Sequence, residues 1–250
     1  MSIDCIIANP TGNITVLVTS PVSADERDKV VREMFTAVAT CEQVGFVVPL
    51  SEQSIQLEMM GGEFCGNATI STAAYMAALN RLAIGAKTTI DVDASGIEGT
   101  LPVQIECTGD NCYRGTLEMP MPTIEKHDGR SLVCLDGISH MILEEDISEE
   151  EMQDSIKSIA KELNVPALGL LKYAVLSGDE ADVSIRPLVY VAGSETVVWE
   201  NGCASGSIAA AFYRYSNDGN KHTSVRQPGG IIDISISDDK LFLTGNIILQ

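Results

Sequence analysis

Two short segments 138 residues apart constrain this chain more than any other feature of its sequence. Cys65-Gly66-Asn67-Ala68-Thr69-Ile70-Ser71-Thr72-Ala73-Ala74-Tyr75 and Cys203-Ala204-Ser205-Gly206-Ser207-Ile208-Ala209-Ala210-Ala211-Phe212-Tyr213 share a cysteine, then an isoleucine, an alanine and a tyrosine at the same offsets, with small residues between. A repeat of this kind implies a duplicated plan. Small, helix-compatible residues follow each cysteine, and a glycine-rich turn precedes it: Gly61-Gly62-Glu63-Phe64 in the first copy, Glu200-Asn201-Gly202 in the second. Each thiol is therefore expected where a strand turns into a helix.

The rest of the chain fits two lobes, about residues 1–122 and 131–250. Between them, Met119-Pro120-Met121-Pro122 and Glu125-Lys126-His127-Asp128-Gly129-Arg130 read as a proline-broken, polar connector. Strand-like runs are expected at 3–8, 14–19, 43–49, 54–60, 88–94 and 112–119 in the first lobe, with helices at 25–39 and 66–81. The second lobe offers strands at 131–135, 139–143, 170–176, 183–191, 196–200, 231–236 and 241–249, with helices at 149–163 and 204–216. Ser148 followed by Glu149, Glu150 and Glu151 reads as an N-cap with an acidic first turn.

Charge and cysteine usage narrow the function. The formal net charge is −19, and the acidity is shared: six Lys and Arg against fifteen Asp and Glu up to Pro122, ten against twenty after it. Nucleic acid and anionic membrane partners need a basic face, so neither is expected. No apolar run approaches the ~18 residues of a membrane span. Seven cysteines, an odd number without scaffold spacing, point to a reducing cytoplasm. Cys107 and Cys112 have no nearby histidine or second cysteine pair, and His127, His140 and His222 form no ligand spacing, so no metal is expected. Cys5, Cys41, Cys107, Cys112 and Cys134 read as small buried residues.

A helix N-terminus presents unpaired N–H groups and about half a positive charge, which together bind a carboxylate and favour a thiolate. Two such cysteines in equivalent positions suit inversion of a carbon next to a carboxylate. One thiolate removes the α-proton from one face, and the opposite thiol delivers a proton to the other. The carbanion's charge passes into a carboxylate held by the helix ends, and no cofactor is required. Plain helix capping is the alternative for each cysteine alone.

These residues resemble the diaminopimelate epimerase family over essentially the whole chain. Gly12-Asn13, Cys65-Gly66-Asn67, Glu200 with Cys203-Ala204-Ser205-Gly206, Gln227-Pro228-Gly229-Gly230 and Thr244-Gly245 match its motifs in order. The resemblance implies an α/β (α+β) fold of two pseudo-symmetric lobes, each a curved, mostly antiparallel sheet wrapped around a central helix, with the active site in the cleft between them. Departures are equally informative. Gly137-Ile138-Ser139-His140 stands where the family has Gly-Asn-Pro-His, Ala167 stands before Gly169 where it has Asn, and Glu200-Asn201 replaces Glu-Arg. Those positions hold the distal aminocarboxylate in the family, so their loss argues against diaminopimelate.

Within that family the segments Asn9-Pro10-Thr11-Gly12-Asn13-Ile14-Thr15, Cys41-Glu42-Gln43-Val44-Gly45-Phe46, Gly62-Glu63-Phe64-Cys65, Pro187-Leu188-Val189-Tyr190 and Trp199-Glu200-Asn201 are similar to the histidine racemases that serve staphylopine-type metallophores. The resemblance implies a cofactor-independent isomerase acting on a small amino acid, most simply histidine. It makes Cys65 and Cys203 the acid/base pair. Asn13, Glu42, Gly66, Asn67, Glu200, Asn201, Ala204 and Ser205 become the substrate contacts, with Glu42 either on an imidazole N–H or merely solvated. Phe46, Phe64 and Trp199 are pocket walls or core. Diaminopimelate, lanthionine or a basic amino acid are the alternative substrates, and a non-catalytic thiol-redox or binding protein is the alternative class. Monomer and homodimer are both compatible with the sequence.

Overall fold

The computed structural model describes residues 3–177 and 180–250, which divide into two compact units. The first contains residues 1–118 and 244–250 and the second residues 119–243. The sequence reading assigned the whole C-terminal strand to the second lobe. Its last seven residues instead join the first unit, because Leu249, Ile248 and Ile247 pair antiparallel with Ala8, Asn9 and Pro10, and Gln250 exchanges backbone bonds with Ile7.

In the first unit the strands are β1 (Cys5–Pro10), β2 (Thr15–Val18), β3 (Gln43–Pro49), β4 (Ser54–Met59), β5 (Lys87–Ala94), β6 (Leu101–Gly109) and β7 (Cys112–Met119). They are hydrogen-bonded in that order, and the end of β16 (Lys240–Leu249) closes the ring between β7 and β1. Two neighbouring pairs, β2–β3 and β4–β5, are parallel. Parallel neighbours need a crossover, and each crossover here carries a helix. These are α1 (Arg27–Ala37) and α2 (Gly66–Leu79). Helix α1 packs Val30 and Met34 on Val16, Val44 and Phe46. Helix α2 is buried almost all round and touches β1 to β6, so it is the axis about which the strands wrap. Gly115 and Gly245 let the strands come this close: a Cβ would stand 2.9 Å from Ile70 at the first and 3.1 Å at the second.

The second unit repeats the plan. Its strands are β8 (Thr123–His127), β9 (Arg130–Leu135), β10 (Ile138–Leu143), β11 (Ala167–Val175), β12 (Val183–Val191), β13 (Thr196–Trp199), β14 (His222–Gln227) and β15 (Gly230–Ser237), and the start of β16 follows β15. The two parallel pairs, β10–β11 and β12–β14, are again bridged by helices, α3 (Glu149–Leu163) and α4 (Ala204–Asp218). Helix α3 opens on a capping box between Ser148 and Glu151, as the sequence implies, and packs Met152, Ile156 and Ala160 on Leu132, Leu168 and Leu170. Helix α4 touches β9 to β12, β14 and β15, so this sheet also wraps a central helix.

Three strands depart from the sequence reading. Strand β6 alternates buried Val103, Ile105 and Cys107 with outward Gln104 and Glu106, and its proline and charges mask the apolar period. Strand β14 likewise buries Thr223, Val225 and Gln227 in turn. Strand β8 occupies the segment read as a connector. It forms a hairpin with β9 through Asp128 and Gly129, both at positive φ. Cys5 is exposed rather than buried, and the seven cysteines form no disulfide. Among the described residues, no helix is long and apolar enough to cross a membrane.

Candidate active site

Cys65 is the N-cap of α2, in extended conformation, with its sulfur 3.5 Å from the Ala68 N–H. The approach to it is held from the side. Ser95 Oγ donates to the Glu63 carbonyl at 2.9 Å and accepts from Met59 N–H at the same distance. Gly96, at φ +75°, packs so tightly that a Cβ would stand 2.2 Å from Phe64 N. The Cys65 thiol donates to Gln43 Oε1 at 3.3 Å, from the first residue of β3. Gln43 Nε2 donates at 2.7 Å to both Asn13 Oδ1 and Thr15 Oγ1. Asn13 receives a second bond from Asn67 Nδ2 at 3.2 Å and donates to Glu42 Oε2 at 2.8 Å. The Thr11-Gly12 turn, both residues at positive φ, presents Asn13 between β1 and β2. Four of the residues expected from sequence, Asn13, Glu42, Cys65 and Asn67, therefore meet in one network. Gln43 is the member that sequence reasoning missed, although it lay inside the quoted Cys41–Phe46 segment.

Cys203 caps α4 in the same way, with Gly206 N–H 3.2 Å from its sulfur. Gly206 has no room for a side chain larger than its hydrogen without crowding, since a Cβ would stand 3.1 Å from that sulfur. Its glutamine, Gln227 at the end of β14, grips the backbone instead: Oε1 accepts from Cys203 N–H at 2.6 Å and Nε2 donates to Ser207 Oγ at 2.7 Å. Burial pushes the Cys203 thiol up, and the hydrogen-bonded Glu200 carboxylate pushes it further. Ser205 Oγ lies 3.5 Å from the sulfur and 2.9 Å from His140 Nε2. His140 is fully buried, which drives it down to about 3, so it is neutral at any ordinary pH. Its ring fits only because residue 169 on β11 is glycine: a Cβ there would stand 2.0 Å from Nδ1. The Ser205 side chain, and not only its N–H, thus belongs to this site, and His140 acts through it.

In both helices the first internal bond runs from the fifth residue back to the cysteine carbonyl, Thr69 N–H at 2.9 Å and Ser207 N–H at 3.0 Å. The N–H groups of Gly66, Asn67, Ala204 and Ser205 stand ahead of it, where a helix presents donors to an anion. Other expected positions lie elsewhere. Phe46 is buried in the α1 core beneath Arg27, Phe64 is half-buried, and Trp199 stacks under Arg186 at 4.8 Å while packing on the α3 core. Asn201 is exposed, and its carbonyl accepts from Gly229 N–H at 2.8 Å. His127, Asp128 and Glu162 bring ligand-type atoms within 4.8 Å of one another, a grouping across the β8–β9 turn and α3 that linear spacing did not suggest; all but His127 are exposed.

Residues 2–247 match the family described as the histidine racemase CntK N-terminal domain. A curated histidine racemase of Fusobacterium nucleatum is 29% identical over 98% of this chain and 94% of its own length. One from Staphylococcus aureus is 28% identical over 90% of this chain and 85% of its own. Among solved structures, a Pseudomonas aeruginosa protein described as a predicted epimerase superposes with a TM-score of 0.71 at 12% identity, covering 100% of this chain and 97% of that one. That likeness extends to the fold.

Proposed function

Because the chain belongs to the histidine racemase CntK N-terminal domain family, we propose that it inverts the α-carbon of free histidine without a cofactor, using Cys65 and Cys203 as the two acid/base groups. The observation that carries this reading is the matched pair of cysteines, each capping a small-residue helix and each tied to a carboxylate, Glu42 through Asn13 and Gln43 on one side and Glu200 directly on the other.

The chemistry requires the two sulfurs to address opposite faces of one α-carbon. The substrate carboxylate would take the helical N–H groups of Gly66, Asn67, Ala204 and Ser205, which also stabilise the charge that develops on deprotonation. Its ammonium pairs with Glu200. Burial is the larger reason that the Cys203 thiol is held protonated, and the pairing offsets the part that comes from Glu200, so substrate binding favours Cys203 as the base. Asn13, Glu42 and Asn201 complete the contacts, with Glu42 suited to an imidazole N–H. Cytoplasmic residence fits thiols that must stay reduced.

A buried, strongly protonated Cys203 speaks against a redox-sensing role, which needs an exposed thiolate. Chiral chromatography of single amino acids incubated with the purified protein tests the reading. D-histidine is expected from L-histidine, with diaminopimelate, lanthionine and lysine unchanged. Turnover of one of these and not of histidine would overturn the substrate, and no turnover of any would overturn the class.

A further inference from the structure

We propose that Gln43 is a positioning residue that aims its amide oxygen at Cys65 and keeps that thiol protonated between turnovers, so that Cys65 meets the substrate as the proton donor. The inference deepens the racemase reading and rests on it for the identity of the reaction, but its physical basis is separate.

The direction of the bonds that run from Glu42 through Asn13 and Gln43 to Cys65 is determined. A carboxylate can only accept, so Glu42 must receive from the Asn13 amide nitrogen, at 2.8 Å. That turns the Asn13 oxygen towards Gln43. The Gln43 nitrogen must then face it, and a second contact requires the same: Thr15 Oγ1 spends its proton on the Asn13 carbonyl at 3.1 Å and can only accept from Gln43. Both Gln43 N–H groups are thereby used, and its oxygen is left facing the Cys65 sulfur. Gln43 and Asn13 are buried, so reversing the amides would oppose like groups with no water to repair the mismatch. An acceptor aimed at sulfur favours the S–H form and opposes the thiolate. Acidic groups on this side are Glu42, at the far end of the chain of bonds, and Glu63, exposed and folded back against Gly61. The α2 N-terminus, whose Ala68 N–H lies 3.5 Å from the sulfur, favours the thiolate, and the Gln43 oxygen works against it.

The proton balance is simple. The Cys65 S–H bond breaks, a C–H bond forms on the carbanion, and sulfur keeps the electron pair, while the opposite base has taken the original α-proton. The Cys65 thiolate now faces the Gln43 oxygen, which favours its recapture of a proton from water as the opposite thiol releases one. The second glutamine makes no such contact, since Gln227 binds the Cys203 backbone and Ser207.

The test is the pH dependence of iodoacetamide alkylation between pH 6 and 10 in substrate-free protein, read separately at Cys65 and Cys203 by peptide mass spectrometry. Gln43→Met removes the acceptor and should shift the Cys65 profile to lower pH, with alkylation at pH 7 about three- to tenfold faster. Gln43→Glu places an anion there and should slow it. Cys203 should react as before in both. Glu42→Gln, at a half-exposed position, releases the polarity of the chain and should accelerate Cys65 by a smaller factor; it carries the test if the Gln43 variants fail to fold. An unshifted Cys65 profile, or equal acceleration of both cysteines, which is what general loosening would give, overturns the proposal. Because alkylation needs no substrate, a shifted profile in protein inert towards histidine would overturn the racemase reading alone.

Discussion

The surroundings of Cys65 and Cys203 are built on the same plan and differ in what they do to the sulfur. Both cysteines cap a helix of small residues, both are approached by a glutamine from a neighbouring strand, and both have a carboxylate in reach. At Cys65 the carboxylate acts at a distance, through two amides, and the glutamine touches the thiol. At Cys203 the carboxylate touches the thiol and the glutamine touches only backbone and Ser207. The duplicated fold supplies two equivalent sulfur positions, and local polar residues then give each sulfur its own proton affinity. A catalyst in which one sulfur takes a proton from the substrate while the other gives one needs such a difference.

Deleting either sulfur gives the largest expected effect. Cys65→Ala and Cys203→Ala should each lower racemisation by about a hundred- to ten-thousand-fold, measured by chiral chromatography. Substantial activity in one of them would break the two-centre comparison. Glu200→Gln should reduce turnover by about a hundredfold, since a substrate ammonium would be left unpaired. The same change should move Cys203 alkylation to lower pH by removing the neighbouring anion, and leave Cys65 unaffected. Slower alkylation of Cys203 would contradict the assignment of Glu200.

The Cys203 side alone carries a buried imidazole, which predicts a pH effect on stability. His140 sits near 3 in the folded protein against an ordinary value of 6.5, so the unfolded chain binds the proton first as pH falls. Stability from this group is present above pH 6.5 and is lost progressively down to about 3, amounting to about 2–3 kcal/mol between pH 7 and pH 4.5. Urea unfolding at the two pH values should show wild type losing that much more than His140→Gln; equal losses would contradict a buried neutral imidazole. The smallest effect is expected from Ser205→Ala, which removes the partner of His140 and a group that lowers the Cys203 thiol. It should cost about 1–2 kcal/mol and shift Cys203 alkylation slightly upward in pH, opposite to Glu200→Gln.

The plan of the molecule was readable because it rests on local signals. Glycine turns, cysteine caps and runs of small residues mark α2 and α4, and Ser148 with Glu151 marks α3. Strands β6, β8 and β14 were missed where an alternating pattern was interrupted by proline or charge, or was short and polar outward. The family motifs point to Cys65, Cys203, Asn13 and Glu200 as candidates, but not to how they are wired. The bond between His140 and Ser205 joins residues 65 apart, and that between Cys65 and Gln43 residues 22 apart. No local periodicity encodes either bond. Gly169 and Gly96 look like ordinary strand and turn glycines, and only the packed structure reveals that one makes room for an imidazole and the other fixes the approach to Cys65.

Proton NMR of L-histidine with the dialysed protein in heavy water, without any added cofactor, tests the central claim most directly. The account predicts loss of the α-proton signal as deuterium enters, together with loss of optical activity, in wild type, and retained optical activity in both cysteine-to-alanine variants. A retained α-proton signal in wild type, or full racemisation in either variant, would contradict it.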